Sequence, residues 1–152
     1  MTLRASVTWQ RGLQLVGRSG SGHSVMIDAE QGEGPHGLGP TPKELTLVSL
    51  GGCAGSLLAV LLEHEHVPFC GLTVGLEADS ASEHPQVFTE IRMVYRIDGE
   101  GIDRSRVDRV IQVLHERYCP VSAMLGKAVP IVFRCEVGGE GQASRATDGG
   151  ER

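Results

Sequence analysis

Four cysteines carry the chemistry open to this sequence: Cys53, Cys70, Cys119 and Cys135. Cys119 stands in "RYCPVSAML", directly before Pro120, where two helical-looking stretches meet. Proline fits the first position of a helix, so Cys119 becomes the N-cap of a short helix closed by Gly126. Unpaired N–H groups and the helix dipole at that position favour a thiolate, which is the form that attacks electrophiles. Cys53 lies about 16 Å along the helix axis from Pro42, at about 1.5 Å per residue. The N-terminal dipole fades within one turn and does not reach it. A mid-helix cysteine is ordinarily core, but Gly51, Gly52 and Gly55 surround this one. Each glycine costs about 1 kcal/mol relative to alanine in a helix, so together they predict close approach of another backbone or a ligand. Read from the residues alone, Cys119 is the activated thiol and Cys53 its candidate partner. Cys135, on the apolar face of a strand, and Cys70, after Phe69 at a strand entrance, read as buried small hydrophobes.

Other chemistry-bearing residues give weaker signals. His115 and Cys119 are spaced i, i+4, as two metal ligands on one helix face would be. Pro120 distorts that helix end, and no second Cys/His pair has ligand spacing, so no metal site is expected. His64 and His66 close a long helix in "EHEH" and read as its solvated, dipole-favoured end. Glu44 precedes Cys53 by nine residues, about 180° around the helix at 100° per residue. It is therefore expected to cap the helix rather than serve that thiol.

The elements that must position these side chains read as follows. Leu3, Ala5, Val7 and Trp9 alternate with polar residues as a strand does. "RG" at 11–12 is a turn, "LQLVG" a second strand, and His23, Val25 and Ile27 mark a third. Residues 29–40 are loop by their Gly and Pro content. Thr41, Pro42 and Glu44 form a helix start with a capping box. The helix that follows is apolar nearly all round from Leu45 to Leu62, which predicts a central, buried helix. Leu72, Val74, Leu76 and Ala78 form a strand. Val87 to Ile97 form a longer one, with Ile91, Met93, Tyr95 and Ile97 on one face. Asp103 caps a helix whose apolar face is Val107, Val110, Ile111, Leu114 and Tyr118. Val129 to Val137 alternate as a last strand, and residues 138–152 read as a disordered tail. The fold class is α+β, with one domain over residues 1–137.

Composition limits the partners and the compartment. The chain has 152 residues with 14 basic and 19 acidic side chains, a formal charge of -5. That balance argues against nucleic acid or an anionic membrane as a partner. The N-terminus lacks the continuous apolar core of a signal peptide. The run "LLAVLL", Leu57 to Leu62, is too short to span a bilayer. A cytoplasmic location is expected, where cysteines are catalytic, metal-binding or buried rather than structural disulfides.

Two stretches, "GPTPKELTLVSLGGCAGSLL" and "RYCPVSAML", resemble the OsmC/Ohr family of thiol peroxidases, the osmotically inducible and organic hydroperoxide resistance proteins, in its OsmC-like branch. The resemblance runs from about "SGHSVMID" to "IVFRCEV". It implies an intertwined homodimer with antiparallel sheets around a long buried central helix and a site at the subunit interface. It implies further that Cys53 attacks an organic hydroperoxide and Cys119 resolves the resulting sulfenic acid to a disulfide. A dithiol reductant, lipoyl in the family, then restores both thiols. No cofactor is implied. An arginine from the early strands, matched here by Arg18, would lower the pKa of the attacking thiol. In the hydroperoxide-resistance branch a glutamate holds that arginine; Lys43 occupies its ungapped position and Glu44 follows one residue later. The role given to Cys53 opposes the dipole argument for Cys119. A small-molecule-binding or redox-sensing protein on the same dimeric fold is the alternative.

Overall fold

The alternating first segment folds as a three-stranded meander. In the computed structural model of the chain, which describes residues 2–28 and 37–138, β1 (Ala5–Arg11), β2 (Gln14–Ser19) and β3 (Ser24–Asp28) pair antiparallel in that order. Gly12 takes the positive φ of the β1–β2 turn, +50°, a conformation glycine adopts without a Cβ clash. The apolar side chains of β1 stay exposed in the single chain, Val7 at 58% and Trp9 at 65%. The sheet belongs to one compact unit, Met1–Val48; the rest of the chain, Ser49–Arg152, forms a second.

Helix α1 (Pro42–His64) starts where its cap predicts. The Thr41 N–H donates to Glu44 Oε2 at 2.7 Å, and the Glu44 N–H donates to Thr41 Oγ1 at 3.3 Å, completing the capping box. Leu50, Ala54, Leu58 and Leu62, one residue per turn, are fully buried. Val48 and Val60, outside that stripe, are 64% and 62% exposed. By length and composition alone α1 could cross a membrane, with a mean hydropathy of 2.1 over 18 residues. The apolar stretch is longer than Leu57 to Leu62, because Leu45, Leu47, Val48, Leu50, Cys53 and Ala54 extend it toward the N-terminus of the helix.

The second unit is built on β4 (Gly71–Ser80), β5 (Phe88–Asp98) and β6 (Ile131–Gly138), with β5 in the middle. The expected inward face of β5 is real: Ile91, Met93, Tyr95 and Ile97 are all buried. β4 and β5 pair antiparallel, but β5 and β6 pair parallel, which corrects the expectation of purely antiparallel sheets. A long helical connection separates β5 from β6; such a crossover lets a strand return in the same direction, whereas a hairpin reverses it. That connection begins with α2 (Arg104–Val113), whose N-cap Asp103 accepts the N–H groups of Ser105 and Arg106.

The helix does not continue to Tyr118 as the apolar spacing suggested. Residues Leu114–Tyr118 form a wide π turn, in which the Cys119 N–H reaches back five residues to Leu114 O at 3.0 Å. The extra residue per turn moves the inward position from Tyr118, 51% exposed, to Cys119, 2% exposed. Helix α3 (Pro120–Leu125) follows. Because Gly138 is part of β6, strand structure extends one residue into the expected tail; its remainder, 139–152, and the loop residues 29–36 lie outside the described residues.

Candidate active site

Two glycines set how closely α1 packs on the sheet of the second unit. A Cβ on Gly51 would sit 2.6 Å from Leu76 Cδ1, and one on Gly55 would sit 3.2 Å from Val74 Cγ2. α1 therefore lies against β4 at a separation that larger residues there would prevent. Gly52 faces open space in the single chain. Cys53, between these positions, is half-buried.

The site forms where α1 meets the corner between the π turn and α3. Cys119 Sγ lies 3.3 Å from Cys53 Sγ, 66 residues away in sequence, with Cys119 as donor. Both thiols are free. Cys119 holds an extended backbone, φ -84° and ψ 99°, and caps α3 by accepting the Ser122 N–H at 3.4 Å. Its N-cap position is as the sequence predicts. The expected electrostatic consequence is not: burial pushes the Cys119 thiol up to about 11, outweighing the Ser122 N–H that favours its thiolate. The neighbouring Cys53 sulfur raises it further. Cys119 therefore keeps its proton and offers it to Cys53. The dipole argument failed because the end of a six-residue helix does not offset the removal of water from a sulfur 2% exposed.

This shift predicts a pH-dependent stability. The folded state retains the Cys119 proton above the ordinary thiol value of 9.0, to about 11. The unfolded chain binds fewer protons in that window, so stability falls as pH rises through it. Urea unfolding of the reduced protein should show a decline between pH 9 and 11 that is smaller in Cys119→Ser. Equal declines in both proteins would contradict this assignment.

Behind Cys119 lies a polar network that the sequence reading missed. His115 Nδ1 is 2.8 Å from Ser122 Oγ, and His115 Nε2 is 2.9 Å from Tyr95 Oη. The ring stacks on Phe133 at a centroid distance of 4.2 Å, with 10° between planes. With both nitrogens engaged, His115 does not have the free ligand atom that the i, i+4 metal reading required. Burial lowers the His115 pKa and favours the neutral ring. Burial raises Tyr95 well above the usual phenol range and keeps its hydroxyl protonated. One signal for this network was present: a tyrosine on the buried face of β5 needs a hydrogen-bond partner for its hydroxyl.

The remaining residues singled out from the sequence each take a place within their own unit. Arg18 is exposed on β2, opposite Ser6 on β1 and Ser24 on β3. Glu44 caps α1, and its hydrogen bonds with Thr41 hold its carboxyl below the usual range. Cys135 is buried, as expected, whereas Cys70 is exposed. Cys70 precedes β4 at the sheet end, where its backbone N–H bonds Asp98 O at 2.7 Å while its side chain remains outside.

The family model described as OsmC-like protein matches residues 34–134. The chain belongs to the OsmC-like family. It is 31% identical over 135 residues to Protein YhfA of Escherichia coli K12, covering 89% of this chain and 98% of that one. An OsmC-like protein from Mycoplasma pneumoniae superposes with a TM-score of 0.80 at 12% identity, covering 91% and 98% of the two chains. The organic hydroperoxide resistance protein OsmC of Legionella pneumophila gives a TM-score of 0.68 at 16% identity, covering 90% and 98%. At those identities the two structures establish the shared fold.

Proposed function

We propose that this OsmC-like chain is a cysteine-based peroxidase for organic hydroperoxides. The observation that carries the reading is the 3.3 Å approach of Cys119 Sγ to Cys53 Sγ; burial raises the Cys119 thiol and so favours its protonated, donating form. A protonated donor beside Cys53 makes Cys53 the sulfur placed to attack. Its thiolate takes the terminal oxygen of the hydroperoxide, the O–O bond breaks, and the alkoxide takes up a proton to leave as an alcohol. Cys53 is now a sulfenic acid. Cys119 then attacks Cys53 Sγ; the S–S bond forms, the S–O bond breaks, and the Cys119 proton leaves with the oxygen as water. A dithiol such as a lipoyl group reduces the disulfide through a mixed disulfide and is itself oxidised. Arg18 and Glu44 enter as charge partners on the family resemblance alone.

Apolar surface beside Cys53 supports the substrate class. Leu57 and Val60, four and seven residues after Cys53 on the same face of α1, keep exposed surface, so an alkyl or aryl group would gain by covering it, about 0.8 kcal/mol per methylene. With dihydrolipoamide as reductant, cumene and tert-butyl hydroperoxide should turn over faster than hydrogen peroxide. A preference for hydrogen peroxide would refute the substrate class. Absence of turnover with all three would leave the small-molecule-binding or redox-sensing reading.

The working unit proposed is an intertwined homodimer in the cytoplasm, where a dithiol pool keeps the pair reduced. Support comes from the apolar surface one chain leaves exposed: Val48 and Val60 on α1, and Val7 and Trp9 on β1. Sedimentation at micromolar concentration should give twice the chain mass of 16.2 kDa; a stable monomer would overturn the assembly.

A further inference from the structure

We infer that His115 is a positioning residue for the second chemical step: acting through Ser122, it holds the Cys119 sulfur in line with Cys53. The inference deepens the peroxidase reading and rests on it for the biological role. Cys119 is the single extended residue between the π turn and α3, so the angle of that corner sets where its sulfur points. His115 lies on one side of the corner and Ser122 on the other, and their 2.8 Å hydrogen bond spans it. Ser122, 7% exposed, also donates its backbone N–H to the Cys119 sulfur at 3.4 Å. The strap is anchored from outside the corner. Tyr95 on β5 holds Nε2, and Phe133 on β6 supports the ring face. A neutral imidazole has one donor and one acceptor nitrogen, so the bonds to Tyr95 and Ser122 run in a single direction through the ring.

The resolving step depends on this alignment. Sulfur must approach sulfur along the axis of the bond that breaks, from a near-attack separation of about 3–3.5 Å. The 3.3 Å separation meets that requirement, and a displacement of about 1 Å can cost on the order of 100-fold in rate. Attack by Cys53 on an external electrophile needs only a thiol donor nearby, not an in-line sulfur, and so makes a weaker demand on the corner. Loosening the strap should therefore slow resolution and spare the first attack.

An aromatic disulfide, dithiobis(nitrobenzoate), separates the two steps without peroxide. In a Cys70→Ser background, which removes the exposed thiol, the Cys53 thiolate attacks the reagent and releases the first nitrothiobenzoate. Cys119 then attacks Cys53 Sγ and releases the second, giving the internal disulfide and a proton to solvent. Ser122→Ala and His115→Phe should leave the first release within about twofold and slow the second by about 10- to 100-fold. Ser122→Thr, which keeps the hydroxyl, should restore the second release to within a few-fold. If His115→Phe does not fold, Ser122→Ala and its threonine rescue carry the test. A second release at the parental rate in Ser122→Ala, or equal slowing of both releases, would overturn the inference. Failure of the parent protein to form a sulfenic acid with hydroperoxide would instead overturn the peroxidase reading.

Discussion

Cys53→Ser should lose its reaction with organic hydroperoxide altogether, whereas Cys119→Ser should react once and stop. The asymmetry follows from the hydrogen bond between the sulfurs. Burial keeps the proton on Cys119 up to about pH 11, so in neutral solution that residue is a donor and a poor nucleophile. Removing Cys53 leaves a buried thiol, 2% exposed, that a bulky peroxide cannot reach. Turnover should fall by at least three orders of magnitude, since the remaining thiols are unpaired; removing a covalent nucleophile costs this much or more. In Cys119→Ser the first step survives, so a sulfenic acid should accumulate on Cys53 and overoxidise with excess peroxide. A sulfenic-acid probe read by mass spectrometry separates the cases. Labelling of Cys119 in Cys53→Ser, with none on Cys53 in Cys119→Ser, would reverse the assignment.

The largest structural effect should come from Gly51→Leu. A Cβ at that position already lies 2.6 Å from Leu76 Cδ1, and three further carbons have no space between α1 and β4. Overpacking of this kind costs about 1–3 kcal/mol. Part of the cost is offset by the better helix propensity of leucine, about 0.8 kcal/mol. For a chain of this length each kcal/mol corresponds to a fall of about 2–4 °C in Tm. Because the clash is with a side chain, Leu76→Ala in the same protein should recover most of the loss, a coupling measurable by a double-mutant cycle. Additive losses in the double variant would place the strain in the backbone instead.

The parts of this molecule that were legible in the sequence are those set by local chemistry. The capping box of Thr41 and Glu44, the N-cap at Asp103, the inward face of β5 and the helix break at Pro120 each depend on residues a few positions apart. A close approach on α1 was also legible, because Gly51 and Gly55 are costly in a helix without one, although the partners are the Leu76 and Val74 side chains of β4 rather than a backbone or a ligand. Three features depended on the tertiary fold. The parallel pairing of β6 with β5 is fixed by how the helical connection packs, which strand alternation does not report. The π turn inserts one residue into an otherwise regular apolar period and so exchanges Tyr118 for Cys119 at the inward position. Nothing in "VLHERYCP" requires that shift. The state of Cys119 depends on burial by distant elements, and this is why the helix-dipole argument, correct about the N-cap, took a buried, protonated thiol for a thiolate. The His115 network joins β5, the π turn and α3, and only their assembly brings Tyr95, His115 and Ser122 together.

The most direct measurement is the product of one equivalent of cumene hydroperoxide with the reduced protein. Peptide mapping under acid quench should find a disulfide joining the peptides that contain Cys53 and Cys119, with Cys70 and Cys135 still alkylatable and one cumyl alcohol released per chain. Recovery of both Cys53 and Cys119 as free thiols, with the hydroperoxide unconsumed, would contradict the account.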